Sequence, residues 1–160
     1  MRNFNKHKAG ISLIEIIIAS AIIGSVFIVL LSSIQNSVRI SARSLEQTQA
    51  AFLLEEGAEA SKTIRDRGWT TVSSLILNTP YYLSWDGTEW SFTDTPVITD
   101  EFTRTVTFEE VLRDGDDDIV AVGGTADTGT LKGTVTVSWT TRENNIESES
   151  LIFYLTNLEI

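Results

Sequence analysis

Two hydropathy patterns divide the chain. From Ile16 to Leu31 no residue carries a formal charge. With Ile11 to Ile14 included, the apolar stretch has about 21 positions, a helix of about 31 Å at about 1.5 Å per residue, which matches a bilayer core of about 30 Å. Past Leu31 polar residues enter but the helical period persists, with Ile34, Val38, Ala42, Leu45 and Phe52 recurring at spacings of three, four or seven. The pattern predicts one helix from about Ile11 to about Arg67, lipid-compatible in its first half and amphipathic in its second. The apolar stripe from Val38 to Ile64 requires cover. Gly57 is the expected place for a bend, since an interior glycine costs about 1 kcal/mol relative to Ala. Arg65-Asp66-Arg67-Gly68 reads as a helix stop, with cations at the negative end of the dipole and Gly68 as a left-handed cap.

From Trp69 onward, β-branched and aromatic residues alternate with polar ones between turn signals. Tyr81 to Trp85 and Glu89 to Phe92 flank Asp86-Gly87-Thr88, a hairpin signal. Phe102 to Phe108 and Thr134 to Thr140 alternate with period two, and Ser150 to Leu158 pairs with the latter across Glu143-Asn144-Asn145. Gly123 to Thr130 has loop composition. A meander of four or five antiparallel strands would lay its apolar face on the amphipathic helix half, because a lone hairpin is marginal. The expected class is α+β, divided into 1–10, a helix at 11–34, its amphipathic continuation at 35–68, and an antiparallel β-domain at 69–160.

Charge sharpens this picture. The chain carries 12 basic and 22 acidic side chains, a formal charge of -10, one His and no Cys. Arg2, Lys6 and Lys8 precede the apolar span, so the positive-inside rule places residues 1–10 in the cytoplasm, and their removal would leave the remainder more acidic. Such a domain repels nucleic acid and anionic lipid. Without Cys, it is held by its core alone or by a metal.

The junction between the basic segment and the span carries the most specific signal. Lys8-Ala9-Gly10-Ile11-Ser12-Leu13-Ile14-Glu15 places a small pair before the apolar run and a lone carboxylate near its start, where a charge costs about 2.5 to 3.5 kcal/mol on the mildest insertion scale. Cleavage after Gly10 would create an ammonium at Ile11, four residues before Glu15 and on the same helix face, so the two charges would neutralise each other. In these residues the chain resembles the type IV pilin and pseudopilin family, whose signal is a short basic leader, a cleavage-site glycine, an N-methylated apolar terminus and a glutamate at mature position five. Gly10, Ile11 and Glu15 match one by one, and Ser12-Leu13-Ile14 stands where the family commonly has Thr-Leu-Ile. Ile11 replaces the commoner phenylalanine, and Ser32 lies where many members have a kinking proline, which implies a straighter helix. The resemblance covers about 25 residues and implies the same α+β fold.

Two other readings of the N-terminus exist. In a removed secretory signal the small residues follow the apolar run; here they precede it. A retained signal anchor needs only the charge bias. Lipoprotein attachment is excluded by the absence of Cys.

Candidate chemistry beyond the junction is sparse. His7 is the only histidine, so Ser-His and Cys-His nucleophile pairs and a zinc site are not expected in the processed chain. Glu109 and Glu110 are adjacent on a strand and point to opposite faces. The expectation is a non-enzyme. Gly123-Gly124 lacks the strand-to-helix setting of a phosphate loop. Asp114, Asp116 and Asp118 have the first half of a Ca2+-loop spacing, but positions six and twelve are Ile119 and Thr125 rather than Gly and Glu. Ca2+ is therefore the single cofactor candidate, against an acidic hairpin turn. Tyr81, Tyr82, Trp85, Trp90 and Phe92 suit either sheet packing or a sugar-stacking platform. Lys62, Arg65 and Arg67 are too few for direct nucleic acid binding. Ser20 and Gly24 form a small-xxx-small pair that permits close helix approach.

The resemblance implies a structural subunit of a type IV pilus-like filament, serving adhesion, motility or DNA uptake. Its precursor would be inserted in the cytoplasmic membrane with the N-terminus inside, cleaved after Gly10 and methylated at Ile11. The implied partners are identical or related pilin subunits, the prepilin peptidase/methyltransferase and a membrane assembly platform. A pseudopilin of a secretion or competence machine, or an unprocessed membrane-anchored binding domain, are the alternatives.

Overall fold

A computed structural model describes residues 12–99 and 101–158. Helix α1 runs Leu13–Asp66 and a short α2 runs Thr70–Ser73. The strands are β1 (Tyr81–Trp85), β2 (Trp90–Thr93), β3 (Ile98–Thr99), β4 (Phe102–Arg113), β5 (Ile119–Val120), β6 (Thr125–Thr140) and β7 (Ile146–Thr156). The class is α+β. The chain divides into two compact units, Met1–Ser44 and Leu45–Ile160.

In the first unit the described residues form helix throughout, apart from Ser12. The Ser12 carbonyl opens the hydrogen-bond ladder, accepting from the Glu15 and Ile16 amides at 3.0 and 3.3 Å. Ser20, Ser25 and Ser32 each donate their hydroxyl to a carbonyl one turn back, those of Ile17, Ile22 and Ile28, at 2.8–3.0 Å. This satisfies their polarity within the helix, as an apolar medium demands. The helix continues through Ser32 without a break.

In the second unit, the sheet has the order β2-β1-β4-β6-β7, with β3 and β5 pairing with β4, and every pairing is antiparallel. Five strands thus carry the main path, and the two-residue β3 and β5 raise the total to seven. The β1–β2 hairpin turns where expected. The Asp86 carboxylate accepts from the Thr88 and Glu89 amides at 2.8 and 2.9 Å, which holds its pKa below the usual value, and Gly87 takes a positive φ of 99°.

Gly123 to Thr130 departs from the loop expectation, because β6 already begins at Thr125. Thr125, Ala126 and Asp127 pair with Arg113, Leu112 and Val111, and the register then shifts so that Leu131 faces Glu110. Polar, glycine-containing composition hid a strand whose pairing is interrupted by a bulge.

The helix stripe is also corrected. Leu45 and Phe52 are 59% and 67% exposed, whereas Ala50, Leu54, Gly57, Ala58, Ser61 and Ile64 are buried. At 100° per residue, Phe52 lies about 160° round the helix from Leu54. The face chosen by the sheet is the one with small side chains, because these let the helix approach. Gly57 lies on this face at a close approach to the sheet: a Cβ there would lie 2.7 Å from Val135 Cγ1 and 3.1 Å from Arg104 Cδ. Gly68 takes a positive φ of 157°, and its amide ends α1 with a bond to the Arg65 carbonyl at 2.9 Å.

The core between α1 and the sheet contains Val106, Phe108, Val135, Val137, Phe153 and Leu155, with Val72 of α2 and Trp69 closing one end. Tyr81, Phe92, Phe108 and Phe153 form a chain of edge-to-face contacts with centroids 5.3–6.4 Å apart, the geometry that aromatic quadrupoles favour. Phe153 reaches across to Gly133, its register partner, where an added Cβ would meet the ring at 2.3 Å.

Gly57→Ala should lower stability by about 1–3 kcal/mol through overpacking, although alanine is the better helix former by about 1 kcal/mol. Urea unfolding of the full chain in detergent checks this; an unchanged midpoint would mean that the helix lifts off the sheet at little cost.

Candidate assembly site

The residues marked out for assembly lie on the N-terminal turns of α1. Glu15 is in the first turn, at the positive end of the helix dipole, where a carboxylate is favoured. Ser20 and Gly24 are four residues apart and share a face. An added Cβ at Gly24 would meet nothing within 4 Å, so the glycine leaves free space on the helix surface. Gly10 and Ile11 lie outside the described residues.

Around these positions, the large apolar side chains from Leu13 to Leu31 are 50–76% exposed, and none of the most apolar window is buried. A helix apolar on all sides is the kind found within lipid or among other helices. Full burial is worth about 1.5–3 kcal/mol for each such side chain. By length and composition, this is one helix able to cross a membrane.

The acidic turn between β4 and β5 is built differently from a Ca2+ loop. The Asp114 carboxylate accepts from the Asp116 and Asp118 amides at 3.0 and 3.1 Å, and the Asp114 amide donates to the Asp118 carbonyl at 3.0 Å. Among the described residues no three His, Cys, Asp or Glu side chains, Asp114, Asp116 and Asp118 included, gather where a metal would sit. The reason is local: one Asp114 oxygen caps the turn, and strands rather than helices flank it.

The cation at this turn is Arg113. Its Nε donates to Asp127 Oδ2 at 2.8 Å, and its NH1 donates to the Asp117 carbonyl at 2.7 Å. The guanidinium, the Thr130 hydroxyl and the Gly129 amide hold the Asp127 carboxyl down at a pKa of about 2, while Arg113 is raised in return. The pairing ties the β4 end to the bulged start of β6. Sequence reasoning missed it, because Asp127 sat in a segment with loop composition.

The aromatic group separates into different roles. Tyr81 and Phe92 pack inward, with the Tyr81 hydroxyl accepting from the Ile76 amide at 2.9 Å. Trp85 and Trp90 sit opposite each other at the hairpin end. Lys62, Arg65 and Arg67 pair with Glu59, Asp66 and Glu89, and Arg67 also donates to the Trp90 carbonyl. The Arg67 bonds fasten the end of α1 to the hairpin.

No protein-family model, curated protein or solved structure matches this chain.

Asp127 supplies a pH test. Its folded pKa lies below the ordinary 3.8, so its contribution is complete above that value and is lost as pH falls toward about 2. Asp127→Asn should lower the melting midpoint at pH 7 by roughly 3–8 °C, taking about 1 kcal/mol for the lost bonds. It should also flatten the fall between pH 4 and pH 2; melts across that range read both effects.

Proposed function

We propose that this chain is a structural subunit of a type IV pilus-like filament, made as a membrane-inserted precursor, cut after Gly10 and methylated at Ile11. The observation that carries the reading is the uncovered apolar surface of α1 from Leu13 to Leu31, with Glu15 in its first turn. That surface is stable in lipid. Outside lipid it stays out of water only if the spans of neighbouring subunits replace the acyl chains.

In this reading Arg2, Lys6 and Lys8 hold the N-terminus in the cytoplasm, and the span is the shaft core after extraction. The acidic β-unit forms the coat. Ser20 and Gly24 admit a neighbouring helix at close range. Glu15 meets the Ile11 ammonium, first its own and then that of the next subunit. A subunit out of register would leave both charges unpaired in an apolar core, which is strongly unfavourable. The partners are therefore identical or related subunits, a prepilin peptidase/methyltransferase and an assembly platform. The protein's role is mechanical, not catalytic.

Protein isolated from its own cell should begin at Ile11 with a methylated amine. Intact-mass measurement finding Met1 to Gly10 retained in assembled material would favour a static membrane-anchored domain.

Glu15→Ala should leave insertion and cleavage intact while reducing filament yield, relative to processed protein, by at least about tenfold. A stranded buried charge costs on the order of 3–5 kcal/mol, and each 1.4 kcal/mol is about tenfold. Filaments at normal yield would make the carboxylate incidental.

A further inference from the structure

Within the Leu45–Ile160 unit, a groove of about 580 Å³ is framed by Glu56 of α1, Ser84 and Trp85 of β1, Trp90 of β2, Thr99 of β3 and Arg104 of β4. Its walls carry two uses of tryptophan. The Trp85 and Trp90 rings lie 5.3 Å apart and tilted by 50°. The Arg104 guanidinium sits 5.3 Å from the Trp90 ring centre, so that ring is covered. Trp85 remains 51% exposed.

Arg104 is tied to α1. Its NH1 donates to Glu56 Oε2 at 2.5 Å and to the Leu53 carbonyl at 3.2 Å. The guanidinium is largely buried and the Glu56 carboxylate half exposed. The pair therefore fixes a carboxylate at the groove with its charge balanced, in a chain whose formal charge is -10. A groove so composed offers little to a free anion, because a carboxylate faces it, and little to a cation, because that carboxylate is already neutralised. It does offer a half-bare aromatic face, an oriented acceptor and the Ser84 and Thr99 hydroxyls.

The ligand that matches has an apolar C–H face on one side and hydroxyls round its edge. We infer that this groove binds a neutral hexose unit of a glycan, its C–H face on Trp85 and its hydroxyls donating to Glu56 and exchanging hydrogen bonds with Ser84 and Thr99. The size agrees: about 580 Å³ lies within the roughly 300–1,000 Å³ of small-ligand sites. The groove is shallow and solvent-facing, which sets the expected affinity in the millimolar range for a single sugar; repeated copies along a surface would raise the avidity. This inference goes beyond the filament reading and does not depend on it.

The test uses the full chain in a zwitterionic detergent without a sugar headgroup. Methyl α-mannoside, methyl β-galactoside and N-acetylglucosamine are titrated while tryptophan fluorescence and saturation-transfer NMR are recorded. At least one sugar should give a saturable response with a Kd on the order of 1 mM. Trp85→Ala should abolish it, and Glu56→Gln should weaken it several-fold. Trp85 contributes to the hairpin through a single cross-strand pair with Trp90, so the alanine variant should still melt cooperatively. Trp85→Phe, which keeps a smaller aromatic face, should retain partial binding and separates loss of stacking from loss of structure. No saturable response to any of the three sugars overturns the inference. So does an equal response in Trp85→Ala, or saturable binding of a proline-rich peptide in place of the sugars.

Discussion

The β-unit depends on how closely α1 can sit on the sheet. Seven strands form one layer, and a single layer has no core until something covers its apolar face. The cover is the Ala50–Ile64 face of the helix, where alanine, glycine and serine outnumber bulky residues. Ser61 donates its hydroxyl to the Gly57 carbonyl at 2.8 Å, so its burial leaves no polar group unpaired. With Gly57 against Val135, the helix backbone comes near enough for sheet side chains such as Phe108 and Leu155 to be fully enclosed. A bulkier stripe would have held the helix off and left these side chains short of contacts, at a cost that grows with cavity volume.

Around that contact, polar pairs tie the elements to one another. Arg67 joins the end of α1 to the hairpin through Glu89 and the Trp90 carbonyl. Arg113 joins β4 to the start of β6 through Asp127, and Lys132 pairs with Glu109 across the same two strands at 2.8 Å. On the sheet face away from the helix, Thr103, Thr105 and Thr107 stand beside Ser138, Thr136 and Thr134. This is the alternation of apolar-in and polar-out that an antiparallel sheet shows when one face meets water. With no cysteine in the chain, the β-unit is held by this packing and by these polar pairs.

The N-terminal part of α1 answers to a different constraint. Its serines satisfy themselves against their own helix, and its apolar side chains face outward on every side. Such a surface is complete only with lipid or other helices around it. In the proposed function, membrane anchoring and filament assembly are two settings for this one property of the helix, and Glu15 distinguishes a registered assembly from a mere anchor.

The sequence by itself determined the features governed by local periodicity and local turn chemistry. The uncharged run to Leu31, the long helix, the Asp86-Gly87-Thr88 hairpin and the alternating strands from Phe102 and Thr134 are all of this kind, since helix and strand periods are set by backbone geometry alone. Only the tertiary structure decided which helix face would be buried. Leu45 and Phe52 have the greater hydrophobicity, yet Ala50, Gly57 and Ala58 are the buried ones, with Gly57 close against Val135 and Arg104. It likewise decided that Thr125–Thr130 would be strand, that Asp127 would meet Arg113, and that Trp85 would stay half bare while Phe92 packed against the core. Each of these depends on residues far apart in the chain, whose proximity is a product of packing and carries no signature in local composition.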